Sequence, residues 1–255
     1  MRDGRTRESI FVEGLRLCEE AARSTLAVED VLHSAEFAND ERAARLLAGL
    51  ARMSGRLAEV SPSLLASISD TRTPQGIVLL ARRPRADREL LERTLEQNPL
   101  VVVLHGVSNP SNAGAMLRVA EAAGAACVVS TAGTTDLLSP KSLRSAMGSA
   151  FRLPMWAGAK FDEVVGWCRA HSLSVVSTDL TAARAHTEID WTGGKAVVFG
   201  SEGGGLSASE IEAADERVRI PMRAPVESLN VAAALAVVLY EAARQRGFPP
   251  ATPRP

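Results

Sequence analysis

LVVVLHGVSNPSNAGAMLR, residues 100–118, runs from five consecutive apolar residues through a polar turn at His105–Pro110 into an alanine-rich helical stretch ending near Gly124. A strand without polar alternation is one buried on both faces, as in a parallel sheet flanked by helices. The runs 126–130, 174–177, 195–199 and 218–221 read the same way, with helical stretches between them. The expected class is α/β with a parallel sheet, whose ligand belongs just outside the carboxyl ends of the strands. Two further segments put polar residues at such ends: VVFGSEGGGL (197–206) and IPMRAPVESLN (220–230). Three segments of this kind point to an enzyme.

Upstream, the pattern changes. Ile10, Leu15, Leu17 and Ala21 recur at helical spacing and predict a helix over residues 8–23. A strand-like 28–32, a polar helical stretch at 39–53, a short 57–60, a serine-rich turn and a strand at 76–80 follow. The first 80 residues thus form one small α/β domain. Arg82, Arg83, Arg85, Arg88 and Arg93, with Pro84 among them and Asn98-Pro99 after them, mark a domain boundary. That basic stretch reads either as a solvated linker helix or as a contact for an RNA backbone.

At 255 residues and 46% hydrophobic content the chain can supply a core to each of two domains. The apolar run Val231–Tyr240 is too short to cross a bilayer, and Arg2, Asp3, Arg5, Arg7 and Glu8 stand where a signal sequence has its apolar core. A cytoplasmic protein with no membrane partner is expected. Cys18, Cys127 and Cys168 form no C-x-x-C pair, which predicts reduced, buried thiols and no cysteine metal site. The net charge of −1 is not that of a generally basic nucleic-acid binder, and DNA is not an expected partner. Of 29 basic residues only Lys141, Lys160 and Lys195 are lysines.

The three segments carry chemistry of different kinds. Glycines at 200 and 203–205 let a ligand approach the backbone, and Ser207 with Glu210 predicts a capping box opening the next helix. Gly203, Gly205 and Ala208 match a dinucleotide fingerprint, but only one strand and one helix follow, too few for that fold. A plain turn has no need of Glu202, which is expected to order the glycine loop by pairing with an arginine. Asn112 and Arg118 act on a ligand, or else cap a helix and face solvent. Ser228 is a candidate cap for the apolar helix from Val231, while the polar groups just before that helix need partners, some of which a ligand can supply. His33, His105, His171 and His186 are isolated, and His105 reads as a structural residue at a strand end.

In this order and context, the three segments closely resemble the SpoU (TrmH-like) family of RNA ribose 2′-O-methyltransferases. Residues 99–247 resemble the family's SPOUT catalytic domain, whose carboxyl-terminal segment forms a trefoil knot around the S-adenosylmethionine pocket. FVEGLRLCEEA (11–21) and TPQGI (73–77) resemble the ends of its small L30e-like RNA-binding domain. The resemblance implies an L30e-like domain at 1–84, a linker at 85–98, the SPOUT domain at 99–247 and a tail at 248–255. It places catalytic roles on Asn112, Arg118, Glu202, Ser228 and Asn230. Contacts to S-adenosylmethionine fall on Gly200, Ile220 and Leu229, with Thr131 and Gly133 nearby, and Lys141 and Arg144 become candidates for RNA phosphate. No metal is implied. The implied reaction is methyl transfer to a ribose 2′-hydroxyl of structured RNA, ribosomal before transfer RNA, by a homodimer. A non-catalytic RNA-binding assembly factor with the same fold is the competing reading.

Overall fold

The computed structural model describes residues 8–248, so residues 1–7 and the tail from 249 on lie outside it. The chain runs β1 (Ser9–Glu13), α1 (Leu15–Arg23), β2 (Val28–His33), α2 (Ala35–Ala38), α3 (Glu41–Leu50), β3 (Arg56–Glu59), α4 (Pro62–Ile68) and β4 (Ile77–Arg82). It continues through α5 (Arg88–Thr94), β5 (Leu100–Leu104), α6 (Pro110–Ala122), β6 (Cys127–Thr131), α7 (Pro140–Ala146), α8 (Ser149–Arg152) and β7 (Met155–Ala159). The last elements are α9 (Phe161–Ala170), β8 (Ser174–Thr178), β9 (Lys195–Phe199), α10 (Ala208–Glu212), β10 (Glu216–Val218) and α11 (Val231–Gln245).

Two compact units result. One combines the described residues up to Pro84 with Asp136–Arg152, and the other combines Arg85–Thr135 with the described residues from Leu153 on. The first is built on a four-stranded sheet in the order β1-β4-β2-β3. Its opening differs from the predicted helix over 8–23. Ile10 and Val12 alternate into the core and pair antiparallel with β4, and Gly14, at φ 95°, separates this strand from α1. The expected serine-rich turn is helix α4. Ser61 caps it by accepting from the Leu64 amide, with Pro62 in its first turn. Arg144 of α7 holds Asp70 at 2.8 Å and lies 4.0 Å from the buried Glu13, which also accepts from the Asp70 amide and the Thr71 hydroxyl.

The second unit is an α/β layer on a six-stranded sheet, all parallel, in the order β10-β8-β9-β5-β6-β7. Strands β5, β6 and β9 are buried along their whole length; β5 is apolar throughout, while β6 and β9 also bury Ser130, Thr131 and Lys195. Leaving β5 the chain steps to β6 and β7, and it returns on the far side of β9. Neighbours β5 and β9 therefore discharge their following segments in opposite directions, which opens a crevice at their carboxyl ends. Leu104 pairs with Phe199 there, and the His105 amide donates to the Phe199 carbonyl at 2.8 Å.

Two strand readings shift. The pairing expected at 218–221 lies at Glu216–Val218, because Arg219 turns to bridge Ala185 and Pro221 has no amide to donate. Edge strand β7 went unread, with Gly158 at φ 77° inside it. The arginines before β5 are largely taken up by neighbouring acids. Arg85 reaches Asp87 and Glu89, while Arg88 pairs with Glu92 and Arg93 with Glu89. Cys127 and Cys168 share the core of this sheet, and burial pushes both thiols up to about 12. Among the described residues no helix is long and apolar enough to cross a membrane.

Candidate active site

The exits of β5 and β9 meet through Glu202. Its carboxylate accepts from the Ser108 amide (3.1 Å) and hydroxyl (3.2 Å), the Asn109 amide (3.0 Å) and Asn112 Nδ2 (3.1 Å). Partial burial pushes this carboxyl up, but the donors outweigh it and hold it down at about 2. The arginine partner expected for Glu202 is replaced by these neutral donors at the start of α6. A helix N-terminus attracts an anion with its own free amides, so no cation is required.

The same contact extends to the third segment. Asn112 Oδ1 accepts from Asn230 Nδ2 at 3.0 Å, and Asn230 Oδ1 accepts from the amides of Ala232 (2.9 Å) and Ala233 (3.4 Å). Asn230, and not Ser228, is therefore the cap of α11, just as Asn109 and not Asn112 is the cap of α6. The carboxylate only accepts and the helix amides only donate, so the orientation of both side-chain amides between them is determined. One polarised relay joins Asn112 to partners 90 and 118 residues away in the chain.

Beside the relay, a cavity of about 770 Å³ opens off the carboxyl ends of β10, β8 and β9. Its volume and apolar lining, with Phe199, Leu206, Ile211, Val218 and Val238, suit a small organic ligand. Gly200, Ile220, Leu229 and Ser228 line it as well, and so do Asn112, Glu202 and Asn230. A Cβ on Gly200 would fall 2.3 Å from the carbonyl carbon of Gly205, so the loop closes on itself only with glycine there. Reciprocal hydrogen bonds between Ser201 and Gly205, at 3.2 and 3.0 Å, complete that closure.

Thr178–Thr181 and Glu227 also line the cavity and were not read from the sequence. The sequence signal available was the polar TDLT following an apolar run. Asp179 is tied to Arg217 at 2.6 Å and Arg219 donates to the carbonyls of Ala182 and Ala183, which fixes this wall.

Other candidates lie elsewhere. Thr131 and Gly133 leave β6, one strand beyond β5, and do not line the cavity. The Thr131 hydroxyl is instead 2.9 Å from His105 Nδ1. His105 Nε2 donates to Glu210 at 2.8 Å, and Glu210 in turn accepts from the Ser207 amide at 2.7 Å in the predicted capping box. His105 thus clamps the exits of β5 and β6 to the start of α10. Arg118 is exposed and makes no hydrogen bond or ion pair among the described residues. Six residues along α6 put it about 9 Å from Asn112 and about 120° around the helix, so it does not join the relay. Lys141 and Arg144 belong to the other unit, where Lys141 is exposed and Arg144 is held by Asp70.

The chain is similar to known proteins over most of its length. A model described as the SpoU rRNA Methylase family matches residues 99–240, and one described as the MRM3-like substrate binding domain matches residues 1–79. The 23S rRNA (guanosine-2′-O-)-methyltransferase RlmB of a Burkholderia species is 35% identical over 81% of this chain and 85% of its own length. The 23S rRNA (guanosine(2553)-2′-O)-methyltransferase RlmP of Bacillus subtilis is 31% identical over 92% of this chain and 89% of its own. Among solved structures, the SpoU methyltransferase AviRb from Streptomyces viridochromogenes in complex with AdoMet superimposes with a TM-score of 0.86 and 29% identity, covering 96% of this chain and 94% of that one.

Proposed function

The chain belongs to the SpoU rRNA methylase family, and from that membership we propose that it methylates a ribose 2′-hydroxyl of 23S ribosomal RNA. The observation that carries this reading is the Glu202–Asn112–Asn230 relay, which brings three separate polar segments to the rim of one cavity. S-adenosylmethionine is the cofactor, and when bound it supplies an electrophilic sulfonium methyl group. The residues fit it. The apolar floor suits an adenine ring, the backbone at Gly200, Ile220 and Leu229 is open for hydrogen bonds, and a side chain at Gly200 is excluded.

The remaining chemistry falls to the chain's own side chains. Methyl transfer to oxygen is an in-line displacement, so positioning is the main task. Asn112, Ser228 and Asn230 are neutral and orient the ribose, with Glu202 holding Asn112 in place. A guanidinium is a poor general base, so Arg118 is not assigned the hydroxyl proton. We assign Arg118 to the phosphate beside the target ribose and to the developing alkoxide charge, with the hydroxyl proton leaving through phosphate or water. Its lack of a hydrogen bond or ion pair among the described residues supports that role.

Residues 1–84 are proposed as the RNA-binding domain and 99–247 as the catalytic domain, with a carboxyl-terminal trefoil knot. Leu235, Val238 and Leu239 are spent in the chain's own core, whereas Val237 and Tyr240 of α11 face outward. A second copy covering that face would form the proposed homodimer, in the cytoplasm. Incubation with methyl-labelled S-adenosylmethionine and unmodified 23S rRNA should yield a ribose-methylated nucleotide resistant to alkali. Cofactor binding without labelling of any RNA would favour a non-catalytic RNA binder, and labelling of transfer RNA alone would move the substrate.

A further inference from the structure

In the small domain, α1 and α3 flank an open groove of about 590 Å³. Arg23 stands on one wall, and Arg42, Arg45 and Arg52 follow the other, with Glu19 the one acid lining it. Arg42 and Arg45, three residues apart on α3, share a face, and Arg52 follows just beyond the end of the helix at Leu50. Ala22, Leu46 and Gly49 form a small-residue and apolar floor, and nothing lies within 4 Å of a Cβ built on Gly49.

The charges are unequally committed. Arg42 is bidentate on Glu19 at 2.6 Å through each nitrogen, which fixes its guanidinium at the groove wall. Arg45 pairs with Glu41, but both side chains are mainly in solvent, at 66% and 88% exposure, and such a pair exchanges readily. Glu20 is held by Arg152 at 2.5 Å, so Arg23, 4.0 Å from it, is only loosely engaged. Arg52 is exposed and has no hydrogen bond or ion pair among the described residues.

We infer that this arginine-lined groove between α1 and α3 is the surface on which the small domain takes the sugar–phosphate backbone of its RNA. Guanidinium forks in a row suit a chain of phosphates better than a single anion. The inference rests on the RNA-methyltransferase reading above and adds the face that the RNA meets. Acting on phosphate, the groove contributes affinity without selecting sequence.

The test uses the full chain with both Arg23→Glu and Arg52→Glu, beside an Arg23→Lys, Arg52→Lys control, with transcribed 23S rRNA as probe. The double reversal should weaken RNA binding by about tenfold or more near 0.1 M salt, and should flatten the log–log salt dependence by about 1.4–1.8 for two lost phosphate contacts. The lysine control should keep most of the affinity. S-adenosylmethionine affinity and kcat at saturating RNA should not change, and their constancy also reports that the variant is folded. Unchanged RNA affinity and slope in a variant that still methylates would overturn the groove and leave the enzyme reading standing. A wild-type protein that binds RNA through these arginines but methylates none would do the reverse. If polyglutamate competes as well as RNA, the groove is a general polyanion or protein site and the inference fails.

Discussion

Glu202→Gln separates a carboxylate that organises the site from one that merely sits near it. The replacement keeps size and shape but has one acceptor oxygen, and its amide group must face a backbone N–H of Ser108 or Asn109. The fall of the carboxyl from 4.5 to about 2 corresponds to at most about 3.4 kcal/mol. Glu202 is solvent-exposed, and screening reduces the net value to about 1–2 kcal/mol. Because the folded-state value is lowered, this stabilisation is complete above pH 4.5 and is lost as pH falls towards 2. Urea unfolding should therefore find the variant about 1–2 kcal/mol less stable at pH 7, with the gap to wild type closing below pH 4.5. Turnover should fall with it, since Asn112 loses its anchor. Equal stability at pH 7 and parallel pH profiles would refute the relay as the organiser of the site.

Gly200→Ala forces a Cβ to within 2.3 Å of the Gly205 backbone, so calorimetric titration should show at least about tenfold weaker S-adenosylmethionine binding, with about 1–3 kcal/mol lost from stability. His105→Ala removes the clamp between Thr131 and Glu210 and should cost about 1–3 kcal/mol in thermal unfolding, while His105→Gln, which can still donate to Glu210, should recover part. Arg118→Lys should lower kcat about tenfold or more through loss of the bidentate fork while leaving cofactor affinity intact. Near-normal turnover in that enzyme would remove the fork from the mechanism.

Much of the sheet was legible because buried parallel strands leave an unmistakable apolar run. Leu100–Leu104 and Lys195–Phe199 were read to the residue. Errors came where local chemistry carries two meanings. Ile10 and Val12 fit either a helical or an alternating pattern until β4 supplies the partner that makes them a strand. Ser61-Pro62 signals a turn and a helix start equally well, and only the burial of Leu65 decides. The arginine expected for Glu202 is replaced by backbone amides and Asn112, since a sequence shows side-chain cations and hides the free amides of a helix terminus.

Sequence by itself supplied the polar segments and the strand exits that carry them, because periodicity and turn chemistry are local. Tertiary structure decided which exits share a rim. The order β10-β8-β9-β5-β6-β7 sets the loops after β8, β9 and β10 around one cavity and puts Asn112 within reach, but leaves Thr131 and Gly133 one strand too far. Strand order is a long-range packing choice, paid in loop entropy and repaid by burial of both sheet faces, and no short window of sequence contains it.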